Sequence, residues 1–247
     1  PWMIKRDKDL KSFFNSNLKV SSFNGSLLWE PWDILKNDGT PYKVFTPFYK
    51  RGCLEAREPR QPEYLKINFF NHNFKNTDVS DLNLLTRKKW EKKIIRNWNV
   101  GENYSAEIMN NFHKDGLNDY ADGRNFPIKK NVSRLSPYIH WGQISPNTLW
   151  YELKKNQNYK NNNLEVFRSE LGWREFAYYL LYHFPYLKTK NLKSNFDKFQ
   201  WLDDEKNLKK WTIGMTGIPM VDAGMRELWQ TGYMHNRSRM IVGSFLV

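Results

Sequence analysis

Apolar side chains recur every three or four positions along much of the 247-residue chain, a spacing that places them on one face of an α-helix. One short apolar run, residues 26–29, has turn signals around it and is typical of a strand instead. These patterns predict a mainly α-helical protein that opens with the end of an α/β unit. Helices are expected near residues 1–20, 87–98, 104–114, 147–153, 164–184, 208–211, 219–232 and from 236 onward.

The longest predicted helix lies between residues 164 and 184. Asn163 is a plausible N-cap for it, and Pro185 ends it because proline cannot continue an α-helix. Most of its apolar positions follow a helical stripe that includes Leu171 and Leu181. This stripe predicts one buried face.

Another face of the same helix has a different composition. Glu170, Trp173, Arg174 and Ala177 are three or four residues apart and form one strip with a carboxylate, an indole, a guanidinium and a gap. A strip that only packs against a core would be uniformly apolar, so the mixture favours a functional surface. The alternative is a surface ion pair between Glu170 and Arg174 beside a half-buried Trp173.

The last predicted helix carries a second mixed strip. Asn236, Met240 and Gly243 share one of its faces and supply an amide, a thioether and a gap. The helix before it begins at Pro219 and ends at Gly232. We expect the strips of the central and final helices to face each other across a shared hollow.

Charge and aromatic content narrow the possible partners. Lys and Arg total 39 against 26 Asp and Glu, a formal net charge of +13 that favours nucleic acid or an acidic membrane surface. Aromatic residues are 16% of the chain and include 11 Trp, which suits stacking on bases or on a flat cofactor as well as ordinary packing. The basic face of the helix at residues 87–98 is either solvated or DNA-facing.

Other classes of protein are excluded or disfavoured. A single cysteine, Cys53, excludes an internal disulfide framework and any metal cluster built on cysteines. The His residues are scattered singly, and the apolar run at residues 240–247 is too short to span a bilayer, so no metal and no membrane are expected. We predict a soluble, cytoplasmic protein, and both chain ends indicate a fragment.

A phosphate-binding segment is expected ahead of Pro137. Ser133 and Ser136 offer hydroxyls and free backbone N–H groups where a helix can start. Helix N-termini attract phosphate, so this segment is a candidate cradle for a pyrophosphate.

Three separated stretches, residues 123–137, 170–176 and 216–240, resemble the DNA photolyase and cryptochrome family in their order and spacing. Within the family they are most similar to class I photolyases of cyclobutane pyrimidine dimers. The resemblance covers residues 100–247, and residues 27–32 and 45–48 resemble the end of the family's antenna domain. It implies a helical FAD-binding domain of the photolyase type, incomplete at its C-terminus, preceded by the end of an α/β antenna domain.

The resemblance implies three regions: the C-terminal part of the antenna domain at residues 1–56, a linker at 57–86 and a truncated FAD- and DNA-binding domain at 87–247. It also implies light-driven repair, in which excited reduced FAD passes an electron to a dimer flipped out of DNA and recovers it after the dimer splits. The partner would be damaged double- or single-stranded DNA, and the protein a monomer. A second antenna chromophore, of folate or deazaflavin type, is expected in the full-length protein.

The resemblance also assigns roles to residues. Glu170 and Asn236 match the groups that bind the base edges of the dimer, and Trp201 matches the outermost Trp of the chain that photoreduces FAD. The residues that match flavin-binding positions are Tyr120, Val132, Ser133, Arg134, Leu135, Ser136, Phe167 and Arg239. The residues that match the DNA-binding set are Arg124, Glu170, Leu171, Gly172, Trp173, Arg174, Glu175, Phe176, Ala177, Asn236, Arg237, Ser238 and Met240.

Three departures from the family pattern, Asn125, Val132 and Phe167, fall at flavin-side positions. The chain also stops before the remaining flavin contacts of the family, which predicts that this fragment is inactive alone. Two other functions stay open: a cryptochrome that keeps FAD without repair, and a basic helical nucleic-acid-binding module without a cofactor. Flavin absorbance of the full-length protein would separate the last from the others.

Overall fold

A computed structural model describes residues 2–15, 17–63, 66, 68, 77–84, 88–153 and 161–247. Over these residues the regular structure is helical, and no strand is present. The α-helices are α1 (Trp2–Asn15), α2 (Phe45–Pro47), α3 (Lys89–Ile95), α4 (Glu102–Asn111), α5 (Tyr120–Gly123), α6 (Ser136–His140), α7 (Pro146–Glu152), α8 (Asn161–His183), α9 (Glu205–Thr212), α10 (Pro219–Thr231) and α11 (Asn236–Leu246). Single π-helical turns are Phe48–Cys53 and Phe112–Gly116, and 3-10 turns are Val79–Leu82, Leu117–Asp119, Pro185–Lys188 and Ser194–Lys198.

The mainly α-helical class is confirmed, whereas the strand expected at residues 26–29 is wrong. The backbone N–H groups of Leu28 and Trp29 donate to the carboxylate of Glu175, at 2.8 and 3.5 Å. The two residues before them donate to the side-chain oxygen of Asn24. Because side chains accept these four N–H groups, the run does not need a neighbouring strand.

The central helix α8 begins earlier than expected. It starts at Asn161, so Asn163 lies inside the helix and is not its N-cap. The buried Asn163 side chain instead accepts from the Ala121 N–H at 2.9 Å and donates to the Asn118 carbonyl at 2.7 Å. Asn163 therefore fixes α8 to the start of α5.

The main core surrounds the buried face of α8. It combines side chains from residues 28–53 with side chains from α8 and from the segments at 112–120 and 135–153. The hydroxyl of Tyr179 bridges two of these parts, since it accepts from the Tyr42 N–H at 3.0 Å and donates to the Ile34 carbonyl at 2.8 Å. The segment expected to belong to the antenna domain is therefore packed directly on the central helix.

The beginning of the predicted linker, residues 57–86, contacts the helical part of the chain. Asn147 of α7 donates to the Arg60 carbonyl at 2.6 Å, and the Tyr151 hydroxyl donates to the Pro59 carbonyl. The Trp29 indole donates to the Arg57 carbonyl at 3.0 Å. Residues 64, 65, 67, 69–76, 85 and 86 of this predicted linker lie outside the described residues, and the domain boundaries stay a prediction.

A second, smaller core joins α10 and α11. Val221, Met225, Met234 and Val242 are its buried side chains. Gly232 adopts a φ of +71° and ends α10, as its sequence position predicts. On the other side α3 packs on this end of α10, where the Trp98 indole donates to the Thr231 carbonyl at 2.6 Å.

The first helix has a different environment. None of the side chains of α1 is buried, and its apolar residues Leu10, Phe13 and Phe14 are exposed. Among the helices that the structure describes, none has the length and apolar content needed to cross a membrane. Within the same residues, no cluster of three His, Cys, Asp or Glu side chains is arranged to bind a metal ion.

Candidate functional site

The octamer at residues 170–177 is divided between the two faces of α8. Trp173 is 50% exposed and Ala177 is exposed, so both can meet a ligand. Four other members of the predicted DNA-binding set are buried and face the core, and their role in DNA binding stays a prediction. These four are Leu171, Gly172, Glu175 and Phe176.

Glu170 forms an ion pair with Arg124, whose Nη1 lies 2.5 Å from Oε1. The Glu170 side chain is 31% exposed and the Arg124 side chain only 11%. The Arg124 guanidinium also lies 5.3 Å from the ring centre of the buried Tyr120. The expected exposure of Arg124 to DNA is therefore not observed, because its guanidinium is mostly buried and holds Glu170.

The alternative surface pair between Glu170 and Arg174 is absent as well. Arg174 donates from Nη1 to Oε1 of the neighbouring Glu175 at 2.9 Å, and its guanidinium lies 4.9 Å from the ring centre of Tyr178. Arg124, the residue that follows α5, binds Glu170 instead. The Glu170 carboxylate is therefore positioned by a residue outside its own helix.

The first turn of α11 brings the second predicted strip to the site. Asn236 is its first residue and is exposed, and Met240 is 57% exposed. Arg237 donates from Nε and Nη2 to Oδ1 of Asn125, at 2.8 and 2.6 Å. Asn125 follows Arg124 directly, so these adjacent residues join the Glu170 carboxylate of α8 to the start of α11.

Asn125 departs from the family pattern, and its hydrogen bonds with Arg237 give it a structural role. Ser238, predicted to bind DNA, is buried near Gly224 in the smaller core, which removes it from the accessible surface. Arg239 is exposed and donates to the Met234 carbonyl at 3.2 Å.

The segment predicted to bind phosphates has a distinctive backbone. Arg134 has a φ of +55°, a left-handed conformation that is uncommon for any residue other than glycine. Its exposed guanidinium lies 4.4 Å from the ring centre of Tyr233. The Leu135 N–H donates to Oγ of Ser133 at 3.3 Å, and the Leu135 side chain is in the core.

The other predicted flavin contacts differ in exposure. Val132 is partly buried, and Ser136 is exposed at the start of α6. Tyr120 and Phe167 pack edge to face with ring centres 5.4 Å apart, and both are buried. Their burial leaves little surface of either ring for a cofactor, so a flavin-side role for Phe167 is not supported by its position.

Trp201, predicted to be the outer electron carrier, is exposed and contacts Phe199 at a centre-to-centre distance of 4.8 Å. No other aromatic ring contact is recorded for Trp201 among the described residues. Its role as an electron carrier stays a prediction.

Charges of both signs surround His235 between Glu170 and α11. Burial is the main cause that lowers the pKa of His235. The charge of Glu227 raises this pKa, whereas the charges of Arg237, Arg124 and Arg134 lower it. His235 is therefore neutral near pH 7. Two of these cations have carboxylate partners, since Arg124 is paired with Glu170 and Arg134 lies 3.9 Å from Glu227.

His235 provides a test of whether a cofactor fits this region. Its Nδ1 accepts the Arg237 N–H at 3.2 Å and caps α11, so in the neutral ring the proton is on Nε2. Nε2 is buried and has no partner among the residues that the structure describes. A buried donor without a partner costs about 1–3 kcal/mol, which an acceptor atom of a ligand would relieve. This donor fits a cofactor that is rich in hydrogen-bond acceptors.

Two protein families match parts of this chain, and several known proteins are similar to it over its whole length. Residues 167–247 match the family described as the FAD binding domain of DNA photolyase, and residues 1–65 match the family described as DNA photolyase. A deoxyribodipyrimidine photo-lyase of Agrobacterium fabrum is 42% identical over 100% of this chain and 52% of its own length. Cryptochrome-2 of Arabidopsis thaliana is 32% identical over 100% of this chain and 43% of its own length.

Two solved structures share the fold. A bacterial class III photolyase from Agrobacterium tumefaciens has a TM-score of 0.90 at 42% identity and covers 100% of this chain, which spans 52% of it. An archaeal photolyase from Sulfolobus tokodaii, solved with two FAD molecules, has a TM-score of 0.78 at 25% identity over 100% of this chain and 51% of its own. The chain therefore spans about half the length of its relatives. The family matches, the similar proteins and the shared fold show that the chain belongs to the DNA photolyase and cryptochrome family.

Proposed function

We propose that the full-length protein repairs cyclobutane pyrimidine dimers in DNA under light. The observation that carries this proposal is the joint placement of a half-exposed carboxylate, Glu170, and a half-exposed indole, Trp173, on one strip of α8. The loop at residues 124–125 connects this strip to the start of α11, where Asn236 is exposed. These are the groups that a flipped-out dimer would need.

Each of these residues would have a separate task. Trp173 offers a flat face, and stacking of a base on an aromatic ring contributes about 1–3 kcal/mol, which offsets part of the cost of flipping. The Glu170 carboxyl and the Asn236 amide together can meet the mixed donor and acceptor edge of a pyrimidine. They can also stabilise charge that develops on the reduced base.

Arg124 would act on the dimer only through Glu170. Arg124 Nη1 donates to Oε1 of Glu170, which leaves Oε2 of Glu170 to bind the base edge. A carboxylate held at one oxygen is oriented before the lesion arrives, and this lowers the entropy lost on binding. Arg237, bound to Asn125 and 3.3 Å from the sulfur of Met240, would orient the apolar wall of the same hollow.

FAD would be held by the cations Arg134 and Arg239, by the hydroxyls of Ser133 and Ser136 and by the buried Nε2–H of His235. When bound, FAD would supply the photoexcited electron donor for splitting the dimer. The Sulfolobus tokodaii photolyase was solved with two FAD molecules, which supports a second, light-harvesting chromophore in this protein.

The subclass is also part of the proposal. The sequence motifs suggested a class I enzyme, whereas the Agrobacterium structure at 42% identity is a class III photolyase. We therefore place the chain nearer class III. The similarity to cryptochrome-2 supports a second function, a blue-light receptor that binds FAD without repair.

The proposal is tested by following dimer loss from irradiated DNA with the full-length protein in light and in darkness. We expect light-dependent loss for the wild-type protein and a fall of about tenfold or more in the rate for Glu170→Gln, which keeps the shape but loses the charge. Glu165→Gln is the control, because Glu165 is an exposed carboxylate on the same helix. Wild-type protein that binds FAD without removing dimers would favour the receptor function, and equal rates for Glu170→Gln and wild type would remove the assigned role of the carboxylate.

A further inference from the structure

Trp173 rests on another aromatic ring. The ring centres of Trp173 and Phe45 are 3.7 Å apart, and their planes differ by 12°, so the two rings are stacked almost face to face. Phe45 begins α2, 128 positions before Trp173 in the sequence, on the segment that resembles the end of the antenna domain. A side chain from the first part of the chain thus covers one face of the proposed lesion-stacking ring.

A second ring extends the stack. Tyr49 lies one helical turn after Phe45, with ring centres 5.5 Å apart and planes within 10° of each other. Tyr49 is buried, whereas Phe45 is only partly buried. The rings are therefore ordered from the core outward as Tyr49, Phe45 and Trp173, with the proposed DNA-facing ring outermost.

Gly172 makes room for this arrangement. A Cβ atom at Gly172 would lie 2.5 Å from Cδ2 and 2.7 Å from Cε2 of Tyr49, closer than real carbon contacts allow. The glycine next to Trp173 in the octamer is thus explained by the ring that supports Phe45. Phe176 adds an edge contact to Trp173, with ring centres 6.0 Å apart at 73°.

We propose that Phe45 is a positioning residue for lesion recognition: it fixes the plane of Trp173 and leaves only the opposite, exposed face for the flipped pyrimidine. The inference rests on the proposed function and adds a determinant outside the helical domain. An indole held against a flat ring loses less rotational freedom when a base stacks on it, so more of the stacking free energy appears as affinity. Phe45 itself need not touch the DNA.

The test measures binding in darkness of the full-length, FAD-loaded protein to a labelled duplex with one thymine dimer and to the same duplex undamaged. We expect Phe45→Ala to weaken binding to damaged DNA about five- to twentyfold and to change binding to undamaged DNA by less than about twofold. Phe45→Tyr keeps a flat ring and should retain the wild-type preference, whereas Phe45→Leu keeps volume without a flat face and should lose most of it. Val44→Ala, at the exposed neighbouring position, is the matched control.

A double-mutant cycle with Trp173→Ala separates positioning from general packing. If Phe45 acts through Trp173, Phe45→Ala should have almost no further effect on damaged-DNA binding in the Trp173→Ala background. Equal losses in both backgrounds, or full retention of the preference by Phe45→Leu, would refute the positioning role. A wild-type protein with no preference for the dimer would instead refute the proposed function, and this role with it.

Discussion

The two faces of α8 carry the same kinds of side chain in different roles, one structural and one proposed to bind the lesion. On the buried face, Glu175 accepts the N–H groups of Leu28 and Trp29 and attaches the first part of the chain to the helix. On the exposed strip, Glu170 has a single cation on Oε1 and keeps a partly open side chain. The two carboxylates are five residues apart. Accessibility, more than residue type, separates the structural carboxylate from the one proposed to bind the lesion.

The same contrast holds for the aromatic side chains of α8. Phe176 and Tyr179 are buried and pack against Phe48, with ring centres 5.0 and 4.6 Å away. Trp173 is stacked on one side only and is half exposed. We infer that the buried face fixes the position of the helix so that the exposed strip can meet DNA without rearranging the core.

The largest effect on stability is expected for Glu175→Ala. The substitution leaves the N–H groups of Leu28 and Trp29 without their acceptor and removes the ion-pair partner of Arg174. Above about pH 7, where the Glu175 carboxyl is ionised, breaking the pair with Arg174 by removing one partner typically costs about 3–5 kcal/mol. Urea unfolding of the full-length protein in that pH range measures this loss, with Glu165→Ala as the exposed control on the same helix. A loss below about 1 kcal/mol would contradict the structural role assigned to Glu175.

A smaller effect is expected for Gly172→Ala. The new Cβ would press on the Tyr49 ring at 2.5 Å, and overpacking of this kind typically costs about 1–3 kcal/mol. The same unfolding experiment measures it, and Gly243→Ala, at a position with open space around the added carbon, is the control. If Gly172→Ala were as stable as wild type, Tyr49 would not occupy the position described here.

The pH dependence of stability gives a third comparison. Burial raises the pKa of Glu175 to about 7, although donors from Leu28, Trp29 and Arg174 oppose the change. The folded protein therefore holds a proton that the unfolded chain, with a pKa near 4.5, has already lost. Stability from this group is present below about pH 4.5 and decreases as the pH rises to about 7, with no further change above it.

The difference in unfolding free energy between wild type and Glu175→Gln isolates this group, because other titrating groups cancel. We expect wild type to lose stability relative to the variant between about pH 5 and about pH 7, and the curves to run parallel above that. A difference that grows in favour of wild type over this interval would show that Glu175 is ionised in the fold.

The smallest effect on stability belongs to Glu170→Gln. Its side chain is partly exposed, and the glutamine keeps an amide oxygen that can accept from the mostly buried Arg124, so the loss should lie near the value of about 0–1 kcal/mol for exposed ion pairs. The variant should unfold within about 1 kcal/mol of wild type while its repair rate falls. A loss of stability as large as that of Glu175→Ala would remove the distinction between the two faces.

The helical spacing of apolar residues alone predicted much of this fold. It located α8, α10 and α11, and Pro185 and Gly232 were sufficient to place two helix ends. It failed at residues 26–29, because the acceptors of that run are the side chains of Asn24 and Glu175, and the latter is more than 140 positions away. Local sequence carries no signal for such a partner.

The site was predictable in its chemistry but not in its contacts. The mixed strip with Glu170 and Trp173 could be recognised from spacing, because the 3.6-residue period fixes which side chains share a face. The partners of that strip, Arg124 and Phe45, come from distant segments, and only tertiary packing brings them to it. Burial of Glu175 was missed for the same reason, since a charged residue beside a functional strip is usually exposed.

The most direct measurement is a crystal structure of the full-length protein bound to a duplex with a single cyclobutane thymine dimer. We predict a flipped-out dimer stacked on the exposed face of Trp173, with its base edges within about 3.5 Å of the Glu170 carboxyl and the Asn236 amide. A dimer that stays within the helix, or one bound away from the strip of α8 and the first turn of α11, would contradict this prediction.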